Sequence, residues 1–338
     1  MEVLADFGVA EYFAIPTFST GIFRSWLAMG DKAAALKLAA VMLVFVIALV
    51  AWEAHTRRGR SDSRDGLAAR RDEEPLVHLS APGKMLAGIA CALPVLLGFV
   101  LPAGYLASLA MSPVAQGAAG ELGTYVGGSL RLGLAAAALC VAAALLLAFA
   151  RARSASRLTA SAIRVATLGY ALPGALLAVG LLAPLDSLDV ALTRFARDTL
   201  GWEGGLLLTG TSALLVYALS VRFLTVAYNA VSGGLARIPP SLDAAARSLG
   251  ARPARVLARI YAPLLAPSLA GAAALVFIDT LRELPATLIL RPFNLETLAT
   301  RTYRLASDER LVEAAIPALI LLGAGLLPVL VLNRLGKR

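Results

Sequence analysis

The sequence predicts an all-α integral membrane protein with about seven transmembrane helices. Hydrophobic residues make up 59% of the 338 residues and charged residues 16%, proportions far from those of an ordinary soluble domain. Apolar runs recur along the chain at lengths near the roughly 20 residues that cross a bilayer as a helix. These runs cover residues 33–52, 85–110, 125–150, 160–183, 205–225, 264–290 and 313–335.

The distribution of Lys and Arg between the runs predicts the orientation of the chain. The net charge of +9 would favour nucleic-acid binding in a soluble protein, but here the basic residues lie in short links and act as a topology signal. The larger set comprises Arg57, Arg58, Arg60, Arg64, Arg70, Arg71, Lys84, Arg151, Arg153, Arg157, Arg164, those of the 222–259 loop, Arg334, Lys337 and Arg338. The smaller set comprises Arg24, Lys32, Arg131, Arg194, Arg197, Arg291, Arg301, Arg304 and Arg310. By the positive-inside rule the larger set is cytoplasmic, which predicts an outside N-terminus and a cytoplasmic C-terminus.

A polar linker divides the chain into parts. Residues 53–84 have mixed charge and few apolar side chains, and we interpret them as a flexible cytoplasmic linker. Residues 1–52 before it hold an outside loop and one span. Residues 85–338 after it hold six spans, with a cytoplasmic loop at about 226–263.

An internal repeat supports this division. Residues 1–50 superpose on residues 278–327 without a gap. The paired positions are Glu2 with Asp279, Leu4 with Leu281, Asp6 with Glu283, Thr20 with Thr297, Arg24 with Arg301, Trp26 with Tyr303, and Asp31 with Asp308. Residues 1–52 are then the end of a first half, and 85–338 form a complete second half. Because Met1 corresponds to a position inside a span, we expect about five further spans upstream of it.

The loop after the fifth span carries the most informative pattern, a bent two-helix finger. Pro239 and Pro240 stop the incoming chain, and Ser241 is a favourable cap for a helix that has Asp243 in its first turn. Gly250 ends that helix and permits a sharp turn. A second helix from Pro253 then places apolar residues on one face and Arg252, Arg255 and Arg259 on another. On physical grounds alone, an ordinary loop lying on lipid headgroups explains this pattern equally well.

The spacing of this finger resembles the coupling motif of binding-protein-dependent ABC-transporter permeases. That motif has Glu-Ala-Ala, three residues, Gly, nine residues and Ile-x-Leu-Pro. The matching positions here are Ala244, Ala245, Ala246, Gly250, Ile260 and Pro263. The chain departs from the motif in two places, where Ala244 replaces Glu and Ala262 replaces Leu. The first change removes the reciprocal bond of a capping box.

The resemblance implies a fold and a set of partners. It implies the ABC importer permease fold in a bacterial inner membrane, surrounded by lipid, with a periplasmic substrate-binding protein and a separate ABC ATPase dimer. The ATPase would use the ATP, because the sequence has no Gly-x-x-x-x-Gly-Lys-Ser/Thr loop to hold nucleotide phosphates. We expect no cofactor bound by this chain, no catalytic residue and no nucleic-acid partner.

Further segments are similar to the ferric-iron import branch of that superfamily. They are 279–294, Leu298 to Arg301, Ala314 to Pro317, 2–8, Thr20 to Arg24 and Gly169 to Gly174. Permeases of that branch carry two halves in one chain, and this chain corresponds to the C-terminal portion. Sister branches share much of this pattern, so molybdate, sulfate, phosphate and thiamine stay open as alternative cargoes.

Charged residues within the sixth predicted span are functional candidates, because an ionisable group at that depth is costly unless it is paired or faces water. Asp279 and Glu283 are four residues apart, as are Glu2 and Asp6 in the other copy. Since hard ferric iron favours carboxylate oxygen, we hypothesise that these four acids approach a shared translocation path. The alternative is that Arg282 forms an ion pair with a neighbouring acid and only locks helices together.

Two other function classes fit the sequence poorly. A membrane-embedded enzyme would need a catalytic constellation, and no His-Glu-x-x-His or Gly-x-Ser-x-Gly motif is present. An ion-driven transporter would leave the finger around Gly250 without a role. The sequence therefore favours a non-enzymatic permease.

Overall fold

The computed structural model describes residues 6–58, 80–154, 156–201 and 204–335. Every regular element in these ranges is a helix. The helices are α1 (Gly8–Tyr12), α2 (Phe18–Phe23), α3 (Lys32–Arg58), α4 (Ala81–Ala110), α5 (Pro113–Gly117), α6 (Leu122–Arg153), α7 (Arg157–Ala166), α8 (Gly174–Leu200), α9 (Ser212–Leu235), α10 (Pro240–Ser248), α11 (Pro253–Leu264), α12 (Ala266–Arg282), α13 (Pro285–Leu290), α14 (Leu298–Ser307) and α15 (Leu311–Leu335). The all-α prediction is confirmed.

The long helices confirm the predicted number of membrane spans. Six of the described helices, namely α3, α4, α6, α8, α9 and α15, are long and apolar enough to cross a membrane. Helices α11 and α12 make a seventh span if they are counted together, with a bend of 77° between them. The chain is therefore built as a multi-pass membrane protein.

The predicted fourth span, 160–183, is wrong in its position. The structure has a separate ten-residue amphipathic helix, α7, and the span itself begins only at Gly174 and runs to Leu200. The break has a local cause, because Pro173 takes extended backbone angles and disfavours helix in the residue before it. The fifth span is also displaced, since it runs from Ser212 to Leu235. The predicted loop at 226–263 therefore begins inside helix α9.

The predicted sixth span, 264–290, is not one helix. Helix α12 ends at Arg282, Glu283 takes extended angles, and Pro285 begins the short helix α13. Proline has no backbone N–H and cannot continue the preceding helix, which explains the break. Asp279 and Glu283 consequently do not share one helical face.

Three helices, α6, α9 and α12, pack together at the centre of the described structure. Small side chains make this close approach feasible, as Ala136, Cys140 and Ala144 of α6 are all buried. A methyl group at Gly133 would lie 2.7 Å from the ring of Phe277, so the two helices touch at that glycine. Around this centre, α15 packs against α4 and α14, and α8 packs against α3 and α13.

A repeated motif precedes α3 and α15. Thr17 and Thr20 form a reciprocal capping box at the start of α2, and Thr297 and Thr300 form the same box at the start of α14. The residue four positions after each second Thr is an arginine that pairs with a glutamate. These ion pairs are Arg24 with Glu11 and Arg304 with Glu296.

This geometry corrects the register of the repeat. The ungapped pairing of Thr20 with Thr297 is wrong here, because Thr20 takes the role of Thr300. Three extra residues in the second copy cause this shift: one because α13 is a residue longer than α1, and two in the connection that follows. Residues 13–17 join α1 to α2, whereas residues 291–297 join α13 to α14.

One aromatic contact joins the two repeated segments. Phe7 is 1% exposed and its ring lies 4.7 Å from that of Phe23 and 5.8 Å from that of Tyr303. Burial raises the pKa of Tyr303, so its phenol is neutral. The segment before α3 is thus packed onto the rest of the protein. The division at 52 and 84 stays a prediction; helix α3 continues to Arg58, α4 begins at Ala81, and 59–79 lie outside the described residues.

Candidate functional site

The finger predicted around Gly250 has the expected two-helix geometry. Helix α10 ends at Ser248, and Gly250 has a φ of +73°, in the left-handed region that favours glycine. The N–H of Ala251 donates to the carbonyl oxygen of Ala246 at 3.0 Å, which closes the turn. Helix α11 then begins at Pro253 and contains a wider π-type turn at Leu257–Tyr261.

The finger is anchored on one side and open on the other. Ala246 and Val256 are buried in the main apolar core. The ring of Tyr261 meets that of Phe149, near the end of α6, at 5.4 Å. In contrast, Leu249 is 87% exposed beside Gly250. Leu249 therefore projects from a turn whose base is packed into the apolar core.

The other predicted finger residues divide between these two sides. Ser241 is exposed and lies in the first turn of α10 rather than at its cap, because the helix begins at Pro240. Ala245 and Pro263 are exposed, and Ile260 is half-buried. Asp243 and Ala244 lie within α10, but their side chains are outside the described set.

The predicted path acids lie in different surroundings. Asp279 is 13% exposed and pairs with Arg282, whose Nη2 is 2.7 Å from Asp279 Oδ1. Asp6 is exposed just before α1, and Glu2 lies outside the described residues. The structure thus pairs Arg282 with Asp279. A path shared by all four acids stays a prediction.

Glu283 has a partner that the sequence did not suggest. Its Oε1 accepts from Arg222 Nη1 at 2.9 Å and from the N–H of Ala286 at 3.2 Å. The side chains of Glu283 and Arg222 are 6% and 10% exposed. The assignment of Arg222 to the cytoplasmic loop is wrong, since it lies well inside α9. The signal that could have found it is a charged residue within the fifth apolar run.

Two glycines bring the chain close to this ion pair. A methyl group at Gly174 would lie 2.2 Å from both Arg222 Nη1 and Glu283 Oε1. At Gly169 it would lie 2.0 Å from the carbonyl oxygen of Val221. The Gly169 to Gly174 segment therefore fits directly against α9 beside the charges. Only residues without a side chain allow this approach.

A second buried acid holds a loop near the other end of α8. Asp189 is fully buried and accepts from the N–H groups of Leu207 at 2.9 Å and Leu208 at 3.0 Å. It also accepts from the N–H and the hydroxyl of Thr209, each at 2.6 Å. These bonds compensate the buried charge and tie the loop before α9 to α8. Asp189 is structural and was missed because its partners belong to an irregular loop.

No group of three or more His, Cys, Asp or Glu suited to a resident metal occurs in the described part of the chain. The charges found are instead paired with arginine or with backbone N–H groups.

Comparison with known proteins shows what the chain is similar to. The chain is 25% identical over 99% of its length to the Fe(3+)-transport system permease protein FbpB 2 of Haemophilus influenzae. It is 32% identical over 40% of its length to a PhnV permease protein of Salmonella typhimurium, whose name assigns it to 2-aminoethylphosphonate transport. The chain is thus similar to permease proteins of transport systems. No protein-family model matches it.

The chain spans only part of each relative. It covers 63% of the length of the Haemophilus protein and 51% of the Salmonella protein. The match to the Haemophilus protein includes the finger, the buried ion pair and both copies of the capping-box motif, because it extends over 99% of this chain. These relatives are named as permease proteins of transport systems.

Proposed function

We propose that this permease is a translocation subunit of an ATP-driven importer for ferric iron. It receives substrate from a periplasmic binding protein and passes it to the cytoplasm of a bacterium by alternating access across the inner membrane. The N-terminal side of α3 faces the periplasm in this proposal, and the finger and the C-terminus face the cytoplasm.

The observation that carries the proposal is the finger. A packed base formed by Ala246 and Val256 supports the left-handed turn at Gly250 and the exposed Leu249. The finger joins α9 directly to α12, so a force applied at Leu249 reaches two helices of the central packing unit. A separate ATPase dimer that binds the finger and uses the ATP could in this way move the membrane helices.

The match to an Fe(3+)-transport relative, which extends over 99% of this chain, supports iron as the cargo. Hard cations favour carboxylate oxygen, and Asp279, Glu283, Asp6 and Glu2 are the acids proposed to approach the path. Glu283 is paired with Arg222 in this structure, so it would contact cargo only in a state in which that pair opens. Uptake of iron unchanged in properly inserted Glu283→Gln and Asp279→Asn variants would remove these acids from the path.

An importer for a phosphonate is the second candidate. The PhnV relatives have the higher local identity, 32% over 136 residues. An anionic cargo would favour basic lining, which the acids near α12 oppose. Molybdate, sulfate, phosphate and thiamine stay as further alternatives within the same class of transporter.

Uptake in a transport-deficient cell separates these cargoes. The permease would be expressed with its ATPase and binding protein, and uptake of ferric iron would be compared with that of 2-aminoethylphosphonate, molybdate, sulfate, phosphate and thiamine. Gly250→Asp serves as the uncoupled control, because it adds a side chain and a negative charge to the proposed docking surface. Iron uptake that this variant abolishes supports the proposal. Coupled uptake of another solute would contradict the iron assignment, and absence of coupled uptake would contradict the function.

A further inference from the structure

The two helices that carry the finger are joined by an ion pair far from it. Arg222 lies on α9 and Glu283 follows α12, and the two residues are 61 positions apart, with the whole finger between them. At 1.5 Å per helical residue, the pair lies roughly 20 Å from the finger end of α9. The ion pair of Arg222 and Glu283 therefore joins the two arms of the α9–finger–α12 hairpin at the end away from the finger.

The same ion pair contacts two further helices. The N–H of Ala286 in α13 donates to Glu283 Oε1, the oxygen that also accepts from Arg222. The first residue of α8, Gly174, approaches both charged groups so closely that a methyl group there would clash. Movement of α9 would therefore displace the first residues of α8 and α13.

Stability alone is a weak reason for such a pair. Both side chains are almost fully buried, and the desolvation of two ions offsets much of their attraction. In addition, Arg222 Nε has no hydrogen-bond partner among the described residues. Apolar side chains of similar size often stabilise a protein as well as a buried ion pair does. The fixed geometry of the pair is what an apolar replacement would not reproduce.

The position of Glu283 suggests what that geometry does. Residues 283–284 are the non-helical joint between α12 and α13, and a free joint would absorb a movement of α12. Because Glu283 is bonded to both Arg222 and Ala286, the joint is clamped to α9 and α13. Helix α13 leads into the 291–297 connection, where Phe293 is fully exposed.

We infer that Arg222 and Glu283 are positioning residues that transmit movement of the finger to α13 and the 291–297 connection. The inference rests on the proposed function, since it assumes that an ATPase moves the finger. Without the ion pair, the α9–finger–α12 hairpin would bend at residues 283–284. With the ion pair, the hairpin and α13 move as one unit.

A double apolar variant tests the clamp. In the complete transporter reconstituted in proteoliposomes, Arg222→Met with Glu283→Leu should assemble and keep its thermal stability. ATP hydrolysis should persist, while iron transported per ATP falls roughly tenfold or more. The matched control is Lys32→Gln with Asp186→Asn, which removes an exposed ion pair and should change coupling by less than about twofold. Unchanged transport per ATP in the apolar variant would overturn the inference.

A second experiment measures the movement in the absence of cargo. The loss of the Glu283 carboxylate from the proposed path then does not affect the result. Spin labels would be placed at the exposed Arg259→Cys in the finger and at Phe293→Cys, in a background with Cys91→Ser and Cys140→Ala. In the otherwise unmodified transporter, ATP with vanadate should change the mobility of both labels. In the apolar variant the finger label should still respond and the Phe293 label should not.

The outcomes separate this inference from the proposed function. If both labels respond equally with and without the ion pair, the clamp is refuted while the importer stands. If the unmodified transporter shows no ATP-dependent uptake, the proposed function fails and the inference fails with it.

Discussion

Replacement of Gly250 by alanine tests the finger by its backbone alone. Gly250 has a φ of +73°, and an added methyl group would meet no atom within 4 Å. The variant therefore introduces no clash and no charge. Its effect comes from the preference of L-residues for negative φ.

The size of the effect follows from that preference. Holding an L-residue in the left-handed region costs about 1–2 kcal/mol. Because 1.4 kcal/mol is a factor of ten, the observed turn would be less populated by about 5- to 30-fold relative to conformations without the strain. If the ATPase requires this turn, ATP-dependent uptake falls by up to that factor.

The chain offers a matched control at Gly201, which ends α8. Gly201 has a φ of +66° and also has no atom within 4 Å of an added methyl group. Gly201→Ala should therefore carry similar strain but leave transport per folded molecule unchanged. Gly250→Asn should recover part of the uptake, because asparagine tolerates the left-handed region.

ATP-dependent uptake and ATP hydrolysis would be measured in proteoliposomes, with thermal unfolding to correct for folded protein. Equal loss of uptake in the two alanine variants would refute a special role for the finger. Full uptake in Gly250→Ala would do the same.

Three further predictions concern buried contacts. Asp189→Ala leaves three N–H groups and a hydroxyl without their acceptor and should lower the free energy of unfolding by about 2–4 kcal/mol, with a smaller loss for Asp189→Asn; denaturation in detergent measures both. Gly174→Ala places a methyl group 2.2 Å from the buried ion pair and should lower the free energy of unfolding by about 1–3 kcal/mol. Gly180→Ala has open space around it and should not lower this free energy; an equal loss in both variants would contradict the prediction. Thr20→Val and Thr300→Val each remove one capping box and should each cost about 1 kcal/mol, measured by thermal unfolding, and markedly unequal losses would argue against equivalent roles.

Local patterns in the sequence predicted much of the fold. Runs of apolar residues located the spans, and the Pro–Pro, Gly250 and Pro253 pattern predicted the two helices of the finger, because those residues act through their own backbone. The error at 160–183 arose where hydropathy continues across Pro173 although the helix does not. The break at Glu283 was missed for the same reason, since Pro285 lies within an apolar run.

Contacts between distant residues could not be obtained in this way. Arg222 and Glu283 are 61 positions apart, and nothing local identifies one as the partner of the other. The glycines that admit this pair look like any other small residues of a membrane helix. The register of the repeat failed at Thr20 because an ungapped comparison cannot locate the longer connection before α14.

The proposed function requires the finger to bind an ATPase. A photo-reactive residue at position 249, which is 87% exposed, would be compared with one at position 200, which is 80% exposed and ends α8. Both would be irradiated in membranes that contain the ATPase. We expect an adduct of permease and ATPase from position 249 only, reduced by Gly250→Asp. No adduct from position 249, or equal adducts from both positions, would contradict it.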